Sequence, residues 1–199
     1  YPERGAVFNN TALKTGRLPA HIQRIGEYAF YDDSAMESFT FGVDSEGKSM
    51  LRVIEDNLTF NIGCEEIIFP EGLEEIGSFA FRAGTANDAR LKKVVLPSTI
   101  TSIGARSFEN QNLLTTLTFT DGTKPLTIGT DAFNACTSLA TLNLPVNLSD
   151  DTNPATVFKK CTALQTITIS EGNESFVAQN DILLQKVLTE PEPPGDGTE

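Results

Sequence analysis

The sequence predicts an α/β solenoid, a stack of coils that each add one short strand to a parallel β-sheet and return through a short helical or 3₁₀ turn. Three observations carry that expectation. An isoleucine followed five residues later by a large apolar residue recurs along the chain, most clearly as Ile25-Gly26 to Phe30, Ile76-Gly77 to Phe81, Ile103-Gly104 to Phe108 and Ile128-Gly129 to Phe133. The unit returns about every 25 residues, a fixed period that signals stacked repeats. Downstream of each unit the apolar residues alternate with polar ones, as a half-buried strand requires.

Aligned on the apolar anchor, six repeats follow as Phe30, Leu58, Phe81, Phe108, Phe133 and Phe158, at intervals of 28, 23, 27, 25 and 25 residues. These anchors are expected to form one continuous internal column. In the second repeat Val53 takes the isoleucine place and Ile54 the glycine place. In the sixth, Asn153-Pro154 stand where Ile-Gly stands elsewhere. Three residues after the anchor come Cys136 and Cys161, and six after it Leu114, Leu139 and Leu164. The strand pairs then follow at nine and eleven residues: Phe39/Phe41, Ile67/Phe69, Leu117/Phe119, Leu142/Leu144 and Ile167/Ile169. The third repeat carries extra residues between Ala83 and Ala89 and resumes at Leu91, Val94 and Leu96. Pro70, Pro97 and Pro145 close their strands, since proline cannot donate to a ladder. A single repeat buries about five large side chains, worth roughly 10 kcal/mol. Ordering its backbone costs several times as much, so stability must come from stacking.

The whole-repeat stretch from Ala132-Phe133-Asn134-Ala135-Cys136-Thr137 to Leu144-Pro145, with Val157-Phe158-Lys159-Lys160-Cys161 to Leu164, resembles the BspA-like leucine-rich repeats of bacterial cell-surface proteins. The resemblance covers roughly residues 18 to 188. It implies a right-handed curved leucine-rich-repeat solenoid, an exported protein at the cell surface, and a role in adhesion or protein binding. The expected organisation is an N-terminal capping segment over 1–17, which holds only a partial repeat, six repeats over 18–169, a strand pair or cap over 170–188 as the resemblance implies, and a Pro-rich acidic tail of linker composition over 189–199. No signal peptide is visible at Tyr1-Pro2-Glu3-Arg4, so an exported protein would be represented here in trimmed or mature form.

A net charge of −12 argues against nucleic acid, which needs clustered Lys and Arg, and against anionic membrane surfaces. No apolar run approaches the ~18 residues of a membrane span. The single histidine, His21, has no partner nucleophile in any motif, so no catalytic residue is assigned. Three scattered cysteines lack zinc-ligand spacing, and no metal or cofactor is expected. Cys136 and Cys161 occupy equivalent places and should lie in adjacent coils. A reduced core ladder fits a small buried position, and a disulfide is the alternative because their Cα atoms would be about 4.8 Å apart. Cys64 falls in the leucine column. The acidic pairs Asp32-Asp33, Glu65-Glu66, Glu74-Glu75 and Asp150-Asp151 lack calcium-loop spacing and read as solvated loop charge.

Binding is expected on the outward strand positions, eight and ten residues after each anchor. In the second half these are Thr116, Thr118, Thr141, Asn143, Thr166 and Thr168, an uncharged ladder on an acidic chain. Ser38/Thr40, Glu66/Ile68 and Lys93/Val95 are their counterparts in the first half. The ladder also follows from plain strand propensity. The reading is a non-enzymatic module that binds a protein partner, such as a host matrix protein, through the sheet face. The alternatives are a structural spacer presenting another domain and a glycan-binding accessory protein.

Overall fold

The computed structural model describes residues 8–9, 12–31, 35–60, 63–179 and 182–185. Asp32-Asp33, residues 1–7 and the tail 189–199 lie outside them. The chain winds as a parallel-strand solenoid of six repeats with little helix. Front strands Glu66–Ile68, Lys93–Leu96, Thr116–Phe119, Thr141–Leu144 and Thr166–Ile169 form one parallel five-stranded sheet. Thr15–Leu18 pairs in parallel with Ser38–Phe41 as a separate two-stranded sheet. A second five-stranded ladder runs behind, made of the two-residue strands Arg24–Ile25, Val53–Ile54, Glu75–Ile76, Ser102–Ile103 and Thr127–Ile128. Phe176–Gln179 and Ile182–Gln185 form an antiparallel pair against the last coil.

The Ile-Gly steps of the third, fourth and fifth repeats have a steric cause. A Cβ added at Gly77, Gly104 or Gly129 would stand 2.5, 2.4 or 2.6 Å from the backbone of the preceding coil. Only glycine lets the coils approach that far. Three residues after the isoleucine the chain enters the left-handed region at Tyr28, Asn57, Phe79, Arg106 and Asp131, with φ between 51 and 60°. That conformation costs about 1 kcal/mol or more for a residue with a side chain. It is offset because the turned N–H meets the next coil: Phe79 N–H donates to Ala105 O (3.0 Å), Arg106 to Thr130 O (3.1 Å) and Asp131 to Thr156 O (3.1 Å). These segments are turns; among the described residues helix is confined to 3₁₀ Ala86–Asp88 and the single α-turn Pro154–Val157. Asn153 caps that turn, its Oδ1 accepting from Ala155 N–H (3.1 Å). Thr152 Oγ1 accepts from Ile128 N–H (3.0 Å) where a ladder strand would otherwise continue. The degenerate sixth repeat is thus closed by side chains.

One expectation is corrected. In the second repeat Ile54, not Val53, holds the isoleucine place, because Ile54 pairs with Ile25 on one side and Ile76 on the other. Glu55 therefore stands in the glycine place: Glu55 N–H donates to Ile25 O (2.9 Å), as Gly77 does to Ile54 O (2.8 Å). Its carboxylate folds back over the first coil, accepting from Glu27 N–H (3.2 Å) and pairing with Arg24 (2.9 Å). The six anchors share one core, but ring stacking covers only part of the column. Phe81, Phe108, Phe133 and Phe158 stack face to face with centroids 5.2, 5.1 and 5.5 Å apart. Leu58 is buried but interrupts the line, and Phe30 instead meets Phe39 edge-on at 4.8 Å.

The place three residues after the anchor has a shared task. Gln111 Nε2 donates to Phe81 O (2.7 Å), Cys136 Sγ to Phe108 O (3.5 Å) and Cys161 Sγ to Phe133 O (3.3 Å). Each reaches the anchor carbonyl of the coil before it, and Phe108 O and Phe133 O also accept from Gln111 N–H (3.4 Å) and Cys136 N–H (3.3 Å). In the inserted loop of the third repeat, Thr85 caps Ala86–Asp88. Arg82 reaches the next coil there, its Nε 2.8 Å from Glu109 Oε2, while Glu109 Oε1 accepts from Asn134 (2.9 Å).

Candidate functional site

The outward residues of the front sheet are placed by the pleat. Leu117, Phe119, Leu142 and Leu144 point into the core and are buried, so Thr116, Thr118, Thr141 and Asn143 between them face solvent. In the last coil Ile167 and Ile169 are half-buried, and Thr166 and Thr168 are exposed. The register brings the six candidates side by side. Thr118 pairs with Asn143, Thr141 with Thr166 and Asn143 with Thr168. Thr168 Oγ1 donates to Asn143 Oδ1 at 2.8 Å, so neighbouring rungs are linked. The result is two columns of hydroxyl and amide groups spaced by the strand separation of about 4.8 Å, with no charge among them.

Towards the N-terminus the same columns change character. Lys93 lies beside Thr116 on one side and Glu66 on the other, and its Nζ is 2.7 Å from Glu66 Oε1. Lys92 and Glu65 are paired at the same distance. Val95 lies between Thr118 and Ile68, and Ile68 is 55% exposed. The face therefore passes from a hydrogen-bonding half to a half with ion pairs and a small apolar patch.

Other candidates are dispersed. His21 is exposed in a surface turn. Glu74 lies 3.9 Å from Lys124, and Asp150 and Asp151 face solvent. Among the described residues no group of three or more His, Cys, Asp or Glu side chains is placed to hold a metal ion, and no helix is long and apolar enough to cross a membrane. The three cysteines are free thiols. Burial pushes the Cys64 and Cys161 thiols up to about 11 and Cys136 well above its ordinary value. They remain protonated near neutrality and act as packing groups and weak donors.

One feature escaped the sequence reading: the front sheet is split between the first and second repeats, and a groove lined by Phe41, Ile68, Glu65 and Glu66 lies at the split. The available signals were the longest anchor interval, 28 residues, and the missing glycine in the second repeat.

The pattern of the BspA type leucine-rich repeat region matches in six copies, over residues 4–87 and 86–180. The chain belongs to this family. The BspA type fold is shared with the crystal structure of the pneumococcal vaccine antigen PcpA, at a TM-score of 0.69 and 24% identity over 87% of this chain and 44% of that one. Two further crystal structures overlap more loosely. One is a leucine-rich repeat protein from Bacteroides ovatus ATCC 8483, at a TM-score of 0.36 and 19% identity over 80% of this chain and 55% of that one. The other is a leucine rich cell surface protein from Faecalibacterium prausnitzii A2-165, at 0.38 and 19% over 88% and 52%. This chain spans about half the length of each of these three. A comparison with the curated proteins finds no match.

Proposed function

We propose that this BspA type chain is a non-enzymatic recognition module of a bacterial cell surface, binding a protein partner through the C-terminal half of its front sheet. The observation that carries the reading is the register of Thr116, Thr118, Thr141, Asn143, Thr166 and Thr168, which stand exposed and uncharged on a rigid parallel sheet of a chain with net charge −12. Extended solenoid faces are suited to such binding because each coil adds one row of side chains to a continuous surface. Family membership, and the presence of this fold in a vaccine antigen of pneumococcus, support the surface location.

The test is binding of the purified chain to arrays of host matrix proteins and of polysaccharides, with a Thr141→Lys/Thr166→Lys variant alongside. Both side chains are exposed, so the variant keeps its fold, checked by circular dichroism. Saturable protein binding that the variant loses supports adhesion through the ladder. Binding only to polysaccharide points to a glycan-binding accessory protein. Absence of binding to either array favours a spacer.

A further inference from the structure

The split in the front sheet leaves two strand edges facing each other. On one lip Ser38 N–H donates to Lys14 O (3.2 Å), so Ser38 and Thr40 turn their main-chain groups towards Thr15–Leu18. Parallel pairing uses alternate residues on each side, which turns those of Phe39 and Phe41 towards the split. On the other lip Lys93 N–H donates to Glu65 O (3.1 Å) and Phe69 N–H to Val95 O (3.0 Å). The groups of Glu66 and Ile68 therefore face the split from the opposite side. Among the described residues no main-chain hydrogen bond joins the two lips. Exposed strand edges of this kind are templates for another extended chain.

The groove between the lips has a volume of about 650 Å³. Phe41 leans on Phe69 with centroids 5.5 Å apart and closes its floor, and Ile68 stands exposed on its rim. Glu37, Glu65 and Glu66 also line it, and no Lys or Arg does. Lys14, Lys92 and Lys93 pair with these carboxylates without lining the groove. Such exposed pairs contribute little and exchange readily. The same carboxylates repel a second copy of this acidic chain.

We propose that this seam captures an extended basic segment of a protein partner by strand addition, its main chain on the free edge of Glu66–Ile68. Lysine or arginine side chains of the segment meet the three carboxylates, and a β-branched residue covers Phe41 and Ile68. The seam is separate from the threonine ladder and does not rest on it.

The probe is a fluorescein-labelled peptide alternating lysine and valine over seven residues, followed by fluorescence anisotropy and by hydrogen exchange of the amides at 38–41 and 66–68. Saturable binding is expected, with slowed exchange at those amides. It should weaken about tenfold in Ile68→Lys and in Glu65→Gln/Glu66→Gln, and stay unchanged in Thr141→Lys/Thr166→Lys. Methylating alternate peptide nitrogens should abolish it, because strand addition needs those donors. Failure to bind overturns the proposal. So does equal binding of the peptide with glutamate in place of lysine, or binding that survives both Ile68→Lys and nitrogen methylation, which would mark general attraction to an acidic surface.

Discussion

Phe81, Phe108, Phe133 and Phe158 stack as parallel rings, and the front strands of the same four repeats are hydrogen-bonded in one unbroken sheet. The first two repeats use different means. Phe30 turns edge-on to Phe39, Leu58 takes the anchor place, Glu55 stands where glycine belongs, and the front strands part. The back ladder, by contrast, runs through both regions without a gap. Close approach of the coils at the turn, allowed by glycine, is what coincides with a closed front sheet. Where a side chain occupies that place, the coils still pair behind but separate in front. One interface of the solenoid has thus become a site-like cleft while the others remain scaffold.

The largest expected effect is on the regular side. Phe108 is fully buried between two stacked rings, so Phe108→Ala should cost about 3–5 kcal/mol in urea unfolding. A loss under about 1 kcal/mol would remove the column as the source of the difference between the regions. Next come the glycines. Gly104→Ala places a Cβ 2.4 Å from Ser78 N and should cost about 1–3 kcal/mol. Gly26→Ala meets nothing nearer than Glu55 Oε2 at 3.7 Å and should stay within about 1 kcal/mol of the parent. Equal costs would mean that the approach of the coils does not distinguish the two regions. Glu55→Gly removes one exposed ion pair and one acceptor, with a stability change below about 1 kcal/mol. If the side chain holds the seam open, amide exchange at 38–41 and 66–68 should slow in this variant; unchanged exchange would assign the split to another cause.

A further effect is a pH dependence. Cys64 and Cys161 have thiols raised to about 11 by burial. The unfolded chain therefore loses these protons first as pH rises, and the stability tied to them, complete below about pH 9, falls away towards pH 11. Unfolding midpoints measured from pH 8 to 10.5 should decline less steeply in Cys64→Ala/Cys161→Ala than in the parent.

What the sequence made legible follows from how each feature is encoded. Ile76-Gly77 and Ile103-Gly104 announce themselves because the close approach tolerates one residue type and recurs at a fixed covalent spacing. The ladder from Thr116 to Thr168 was readable because a regular period keeps equivalent residues in register. Val53 and Ile54 were misread by one place because both are β-branched and apolar, and only pairing with Ile25 and Ile76 distinguishes them. The split between Ser38–Phe41 and Glu66–Ile68 is a relation between strands 28 residues apart, marked in the sequence only indirectly, by the long anchor interval and the missing glycine of the second repeat. The donor role of Gln111, Cys136 and Cys161 lay midway: the shared offset was visible, but the carbonyls they reach belong to another coil.

The seam also has a mechanical meaning. A chain stretched between two attachment points bears load through whatever joins its successive coils. From the second repeat onward every junction is bonded through the front sheet, whereas the first lacks that pairing and is bonded through the back ladder and the two-residue pairing of Phe30–Tyr31 with Thr59–Phe60. Tension should peel away the first coil before any other yields, releasing on the order of 90 Å of slack over its 28 residues at ~3.4 Å per residue. The remaining coils, with the uncharged ladder among them, would still be wound at that extension, so the weak junction would act as a fuse that protects the far end of the molecule.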